Sequence, residues 1–189
     1  KGLVARNTFE SLIGDSPAFR ETLARARQFS RSSVSVLVEG ETGTGKELFV
    51  QGIHNESPCA GGPFVAINCA ALPESLLESE LFGYEGGAFT GARKGGKPGL
   101  FEMAHNGTIF LDEISEISRS IQARMLRVLQ EREILRIGGD RVINVNIRVV
   151  TATNKNLYRQ VLDGDFRQDL YFRISPLKLR IPPLRERKS

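Results

Sequence analysis

Four stretches of this chain are apolar, short and rich in β-branched or aromatic residues. Val34-Ser35-Val36-Leu37-Val38 stops at Gly40, and Phe64-Val65-Ala66-Ile67 follows Gly61-Gly62-Pro63. Thr108-Ile109-Phe110-Leu111 lies between Asn106-Gly107 and Asp112-Glu113, and Ile147-Arg148-Val149-Val150-Thr151-Ala152 completes the set. Each predicts a buried strand. Between them the apolar period changes. Ser16-Pro17 ahead of Phe19, Leu23, Ala26 and Phe29 predicts a capped amphipathic helix. Residues 47–55 place Leu48, Phe49, Gly52 and Ile53 on one side, and residues 121–133 put Ile121, Met125, Val128 and Leu129 in phase, so both predict helices. Arg136-Ile137-Gly138-Gly139-Asp140-Arg141-Val142-Ile143 predicts a hairpin around a Gly-rich turn. No internal repeat is visible. Short apolar strands alternating with helices imply a parallel α/β sheet, and such sheets bind ligands at the carboxyl ends of their strands.

At 189 residues the chain is the size of one domain, and 40% hydrophobic with 25% charged residues is ordinary for a globular protein. No apolar run approaches the roughly 20 residues of a membrane span, and nothing at the start resembles a signal peptide. The chain opens on Lys1 and closes on Arg185-Glu186-Arg187-Lys188-Ser189, which reads as a piece of something longer. The net charge of +4 is uneven: from Arg141 onward eleven Lys or Arg stand against four Asp or Glu. Such a basic third suits a phosphate backbone, acidic neighbours or ATP phosphates alike. Cys59 and Cys69 lack metal spacing and read as reduced thiols, while His54 and His105 stand apart without a triad.

Gly40-Glu41-Thr42-Gly43-Thr44-Gly45-Lys46-Glu47 follows a predicted strand and opens a predicted helix. This is the G-x4-G-K frame of a phosphate-binding loop, with residues 40–48 expected against the nucleotide and Leu48 in the first helical turn. Its glycines let the backbone turn tightly, N–H groups point at phosphate oxygens, and the helix N-terminus adds partial positive charge. Lys46 is placed to reach the β- and γ-phosphates. The Ser or Thr expected after the lysine is Glu47, whose carboxylate can hold Mg²⁺ directly or through water. Asp112-Glu113, ending an apolar strand, completes a Walker B pair, in which the first carboxylate serves the Mg²⁺ shell and the second polarises the attacking water.

Gly87-Ala88-Phe89-Thr90-Gly91-Ala92 reads GAFTGA, and around it stand Asn68-Cys69-Ala70-Ala71-Leu72, Glu78-Ser79-Glu80-Leu81-Phe82-Gly83 and Leu126-Arg127-Val128-Leu129-Gln130-Glu131-Arg132-Glu133. Ala152-Thr153-Asn154, Phe166-Arg167-Gln168-Asp169-Leu170-Tyr171 and Pro182-Pro183-Leu184-Arg185-Glu186-Arg187 follow. From about Ile13 to its end, the chain resembles the sigma-54-dependent transcription activators, a branch of the AAA+ ATPases. The resemblance implies a P-loop NTPase fold: a three-layer α/β/α sandwich with a parallel central sheet, cut before a helical lid and carrying an inserted loop at 87–92.

It also implies ATP and Mg²⁺ as cofactors and the sigma-54 factor of RNA polymerase as partner. A hexameric ring would hydrolyse ATP between subunits and couple it to GAFTGA movement, remodelling the closed promoter complex. Promoter and enhancer DNA would be bound through domains outside this chain, in the cytoplasm and without a membrane. Residue by residue, Ile13-Gly14 resembles the segment against adenine, and Asn68 the switch that holds and releases Glu113. Asn154 resembles the sensor of the γ-phosphate; Arg167 and Arg173 resemble arginine fingers, which by spacing alone would be ordinary salt bridges. Phe89 and Thr90 would touch the sigma factor, whereas a lone Phe89 would otherwise tuck into its own core. The Gly138-Gly139 hairpin resembles a second loop acting beside the first. Glu47 fits this branch; Tyr84 and Asn146 depart from it, off the chemical path. Without its lid, the chain is expected to bind nucleotide weakly and hydrolyse it poorly. A nucleotide-gated scaffold and a DNA-translocating motor are the competing readings; the uncharged GAFTGA run disfavours the motor, whose pore loops would be basic or aromatic.

Overall fold

The computed structural model describes residues 3–187. In chain order its strands are β1 (Val36–Glu39), β2 (Phe64–Asn68), β3 (Gly83–Tyr84), β4 (Lys97–Pro98), β5 (Thr108–Asp112), β6 (Glu133–Leu135), β7 (Val142–Asn144), β8 (Arg148–Thr153) and β9 (Leu177–Arg180). The helices are α1 (Pro17–Ser30), α2 (Lys46–Asn55), α3 (Glu74–Phe82), α4 (Leu100–Met103), α5 (Arg119–Glu131), α6 (Leu157–Leu162) and α7 (Gln168–Ile174). Five strands form one sheet in the order β2-β5-β8-β1-β9, every neighbour parallel.

Side chains alternate across a strand, so each strand feeds two cores. Val36, Val38, Phe110, Val150, Ala152 and Leu179 pack with Phe19 and Ala26 of α1 and Phe49, Val50 and Ile53 of α2. Leu37, Ile109, Leu111 and Val149 face the other way, against Leu77 and Leu81 of α3, Ile121 and Met125 of α5, and Leu170 and Ile174 of α7. Helices on both faces of a parallel sheet make the three-layer sandwich. All five strands run the same way, so the loops that follow them gather along one edge.

All four predicted strands and all three predicted helices are present, with corrections. β2 is an edge strand of the described sheet, and along it Phe64 and Val65 are buried while Ala66 is exposed. The helix predicted over 121–133 starts earlier and ends at Glu131. The Ser118 hydroxyl caps it by accepting from the Ile121 N–H at 3.3 Å, and Arg132 terminates it in the left-handed region at φ 58°. The predicted hairpin is present but starts earlier than the named run: its stem pairs β6, which lies ahead of Arg136, with β7, which begins at Val142 inside the run, leaving residues 136–141 as the connection. Arg148 opens β8 inside the protein, 1% exposed, with no carboxylate partner among the described residues. Its guanidinium instead donates to the carbonyls of Phe29, Ser30 and Val34, satisfying the orphan end of α1.

Candidate functional site

The carboxyl ends of β1, β8 and β5 lie side by side, and the predicted chemistry sits on them. β1 runs into the loop at Gly40, whose N–H donates to the Thr153 carbonyl of β8 at 3.2 Å. Gly43 and Gly45 take φ of 79° and 80°, conformations that favour residues lacking a Cβ, and α2 begins immediately at Lys46. Thr44 is buried and its hydroxyl donates to the Glu41 carbonyl at 2.7 Å, so the loop holds its own shape. Lys46 Nζ donates to the carbonyls of Gly40 at 2.7 Å and Glu41 at 2.9 Å. Burial pulls the Lys46 ammonium below its ordinary value, while the nearby charges of Asp112 and Glu113 oppose that pull. The lysine and both acidic groups therefore share one electrostatic neighbourhood.

Asp112 ends β5, and its carboxylate accepts from the Glu113 N–H at 2.9 Å. Glu113 is in the left-handed region at φ 52°, an uncommon setting for a non-glycine residue. Cys69, one residue past β2, donates its N–H to the Asp112 carbonyl at 2.9 Å. Burial, helped by the two acidic neighbours, pushes its thiol up to about 12, so it stays protonated and inert. Asn154 follows β8, and its amide donates to the Thr42 hydroxyl at 2.9 Å, joining the expected sensor to the phosphate loop. Glu47, exposed in the first turn of α2, accepts from Gln51 Nε2 at 3.4 Å. Among the described residues no group of three or more His, Cys, Asp or Glu could hold a metal ion. Mg²⁺ bound with a nucleotide needs only one or two carboxylates beside phosphate oxygens and water, which this donor set can supply.

Other expected residues stand differently. The Asn68 side chain accepts from the Ala70 N–H at 2.9 Å, closing its own turn, and no hydrogen bond joins it to Glu113 among the described residues. Ile13 is 92% exposed, while Gly14 lies so close over the Phe19 ring that a Cβ would sit 2.9 Å from it. Arg167 precedes α7 and makes a double hydrogen bond to Asp169 at 3.0 and 2.9 Å, the ordinary salt bridge its spacing allowed. Arg173 is exposed on α7.

The GAFTGA run stands on a two-stranded stalk, β3 with β4. Gly87 and Gly91 take φ of 76° and 91° with open space around them. Phe89 is 44% exposed rather than tucked into the core, and it packs edge-on against Tyr84 at 4.9 Å between ring centroids. Tyr84 thus touches the loop it precedes. The connection 136–141 lies alongside: Ile137 exchanges backbone hydrogen bonds with Gly83 and Glu85 at 2.9 and 3.0 Å, and Gly138 abuts Ala88. Sequence reasoning missed two arginines, Arg185 and Arg187, that lie against the phosphate loop; their only sequence signal was membership of the Pro182-to-Arg187 run.

The Sigma-54 interaction domain family matches residues 12–180. A Nif-specific regulatory protein of Azorhizobium caulinodans is 56% identical over 183 residues, 97% of this chain and 30% of that protein. A signal-transduction and transcriptional-control protein of Clostridium beijerinckii is 54% identical over 185 residues, 98% of this chain and 29% of that protein. The chain thus spans about a third of the length of these relatives. Crystalline NtrX from Brucella abortus superposes with a TM-score of 0.87 at 34% identity, covering 93% of this chain and 39% of NtrX; its complex with ATP gives 0.84 at 33%, covering 93% and 38%. No helix among the described residues is long and apolar enough to cross a membrane. The lysine-bearing loop beside an acidic strand end, on a parallel sheet that superposes on NtrX, agrees with these matches, and the chain belongs to the sigma-54 interaction domain family, the AAA+ P-loop NTPase domain of sigma-54-dependent transcription activators.

Proposed function

We propose that this chain is the ATP-hydrolysing core of an activator that remodels the closed sigma-54 polymerase–promoter complex, working as a ring with sites between subunits. Residues 40–48 wrap the phosphates, Lys46 neutralises the β- and γ-phosphoryl groups, and Asp112 with Glu47 serves Mg²⁺, which when bound would offset charge on the phosphates. Glu113 takes a proton from the attacking water. Asn154 reports the γ-phosphate to the loop through Thr42, Asn68 is the switch that holds and releases Glu113, and Ile13-Gly14 lies against the base. Arg167 and Arg173 act on a neighbour's phosphate; for Arg167 that means exchanging Asp169 for a phosphoryl oxygen. Residues 87–92 form the inserted loop that carries Phe89 and Thr90 to the sigma factor.

The observation that carries this reading is that Lys46, in the loop after β1, and Asp112-Glu113, ending β5, stand at the carboxyl ends of strands on either side of β8. ATP in the crystalline NtrX relative supports a nucleotide ligand here. Glu113→Gln in the assembled full-length protein should lower turnover at least about 100-fold, the scale of a lost general base, with ATP affinity retained. Phosphate release by that variant at the unaltered rate would defeat the assignment.

A further inference from the structure

The run Pro182-Pro183-Leu184-Arg185-Glu186-Arg187 folds back over the phosphate loop as a strap. It leaves β9 at Ile181, whose N–H donates to the Glu39 carbonyl at 2.8 Å and whose side chain lies against Gly40. Arg185 then makes two parallel hydrogen bonds to the Glu41 carboxylate, both at 2.9 Å. Arg187 donates to the Thr44 carbonyl and lies over the Phe19 ring at 5.3 Å. Two guanidinium groups from one turn thus hold the loop at its second and fifth residues.

Glu41 is an awkward residue for its place. It is the one acidic side chain among residues 40–46, and its own carbonyl accepts from Lys46 Nζ. A carboxylate here lies close to where a polyanion must settle, and unpaired it would repel each phosphate group. The Arg185 fork engages both carboxylate oxygens and holds the Glu41 carboxyl below its usual range, so it stays ionised but paired.

We propose that Arg185 is a positioning residue for nucleotide binding: its fork compensates and fixes the Glu41 carboxylate, so that the polyphosphate meets no free carboxylate in the part of the loop ahead of Lys46. The inference rests on residues 40–48 being the phosphate site. It concerns charge rather than mechanical support, which sets its signature: the benefit must grow with the number of phosphates on the ligand.

The test is a titration with fluorescently labelled ATP and ADP and with adenosine, in low salt, using the unaltered chain, Arg185→Ala, Glu41→Gln and the double variant. Arg185→Ala should weaken ATP roughly 5- to 10-fold, a moderate charge effect at a partly screened site, with a smaller loss for ADP and none for adenosine. The double variant should return to within roughly twofold of the unaltered chain, because removing both charges removes the conflict. Added salt should shrink the ATP difference. Equal losses for ATP and adenosine, or no recovery in the double variant, would reduce Arg185 to a structural prop and overturn the proposal. No ATP binding by the unaltered chain would instead overturn the phosphate-site reading, and this inference with it.

Discussion

Two regions of this molecule are built on opposite terms. At the carboxyl ends of β1, β5 and β8, functional groups stand on strands whose side chains are almost wholly buried on both faces. The GAFTGA run and its neighbour 136–141 stand instead on short antiparallel stems, held by backbone hydrogen bonds, one aromatic contact and ion pairs at their bases, Arg136 with Glu102 and Glu85 and Lys97 with Glu80. The first arrangement fixes geometry because moving Asp112 means disturbing a close-packed core. The second can be displaced at the cost of little buried surface. The proposed function asks for fixed distances at the first region and freedom to move at the second, and the two stand on separate supports.

The largest expected effect tests the rigid region. Leu111, fully buried beside Asp112, should cost about 2–5 kcal/mol on replacement by Ala, seen as a lower denaturant midpoint with an unchanged slope. A midpoint near that of the unaltered chain would mean that the strand end is far less tightly held than its packing implies.

An intermediate effect is expected at the amino ends of the strands. His54 is buried on α2 with its Nδ1 2.8 Å from the Thr108 hydroxyl, and burial lowers its affinity for a proton. Unfolded, it titrates near its ordinary 6.5, so below that pH the unfolded chain binds the extra proton and the folded chain resists it. The stability that His54 contributes is therefore present above about that pH and lost as the pH falls through the lower folded value. Denaturant midpoints at pH 7.5 and 5.5 should differ, and His54→Gln should flatten that difference; an unaltered slope in the variant would acquit the histidine.

The smallest effect on stability belongs to the loop. Phe89→Ala removes one edge-on aromatic pair and should shift stability by less than about 1.5 kcal/mol, while abolishing capture of the sigma factor by the full-length protein. A loss as large as that of Leu111→Ala would show that the loop is part of the core after all.

Much of the rigid region was legible in the sequence because its signals are local. Glycine spacing marks the phosphate loop, Ser16 marks the start of α1, and apolar runs mark β5 and β8, whereas the cap at Ser118 went unread. The unread parts depend on partners distant in the chain. β9 alternates Leu177-Lys178-Leu179-Arg180 and becomes a strand by pairing with Val36 to Glu39, some 140 positions away. α3 carried a readable Leu77 and Leu81 pair four apart, but Glu74, Glu78 and Glu80 diluted its apolar face. The edge position of β2 depends on sheet order, which no local pattern encodes. Arg185 with Glu41 and Arg148 with the end of α1 are contacts of the same long-range kind.

The open side of β2 has a consequence of its own. The Phe64 N–H faces outward, where the Leu3 carbonyl takes it at 3.0 Å, and strand parity turns the amide and carbonyl of Ala66 the same way. Among the described residues no hydrogen bond takes up those two groups of Ala66, and apolar Leu72, Leu76 and Met103 flank them. At high concentration, this flank is where one molecule would recruit another edge to edge, and a lysine in place of Ala66 would act as its gatekeeper.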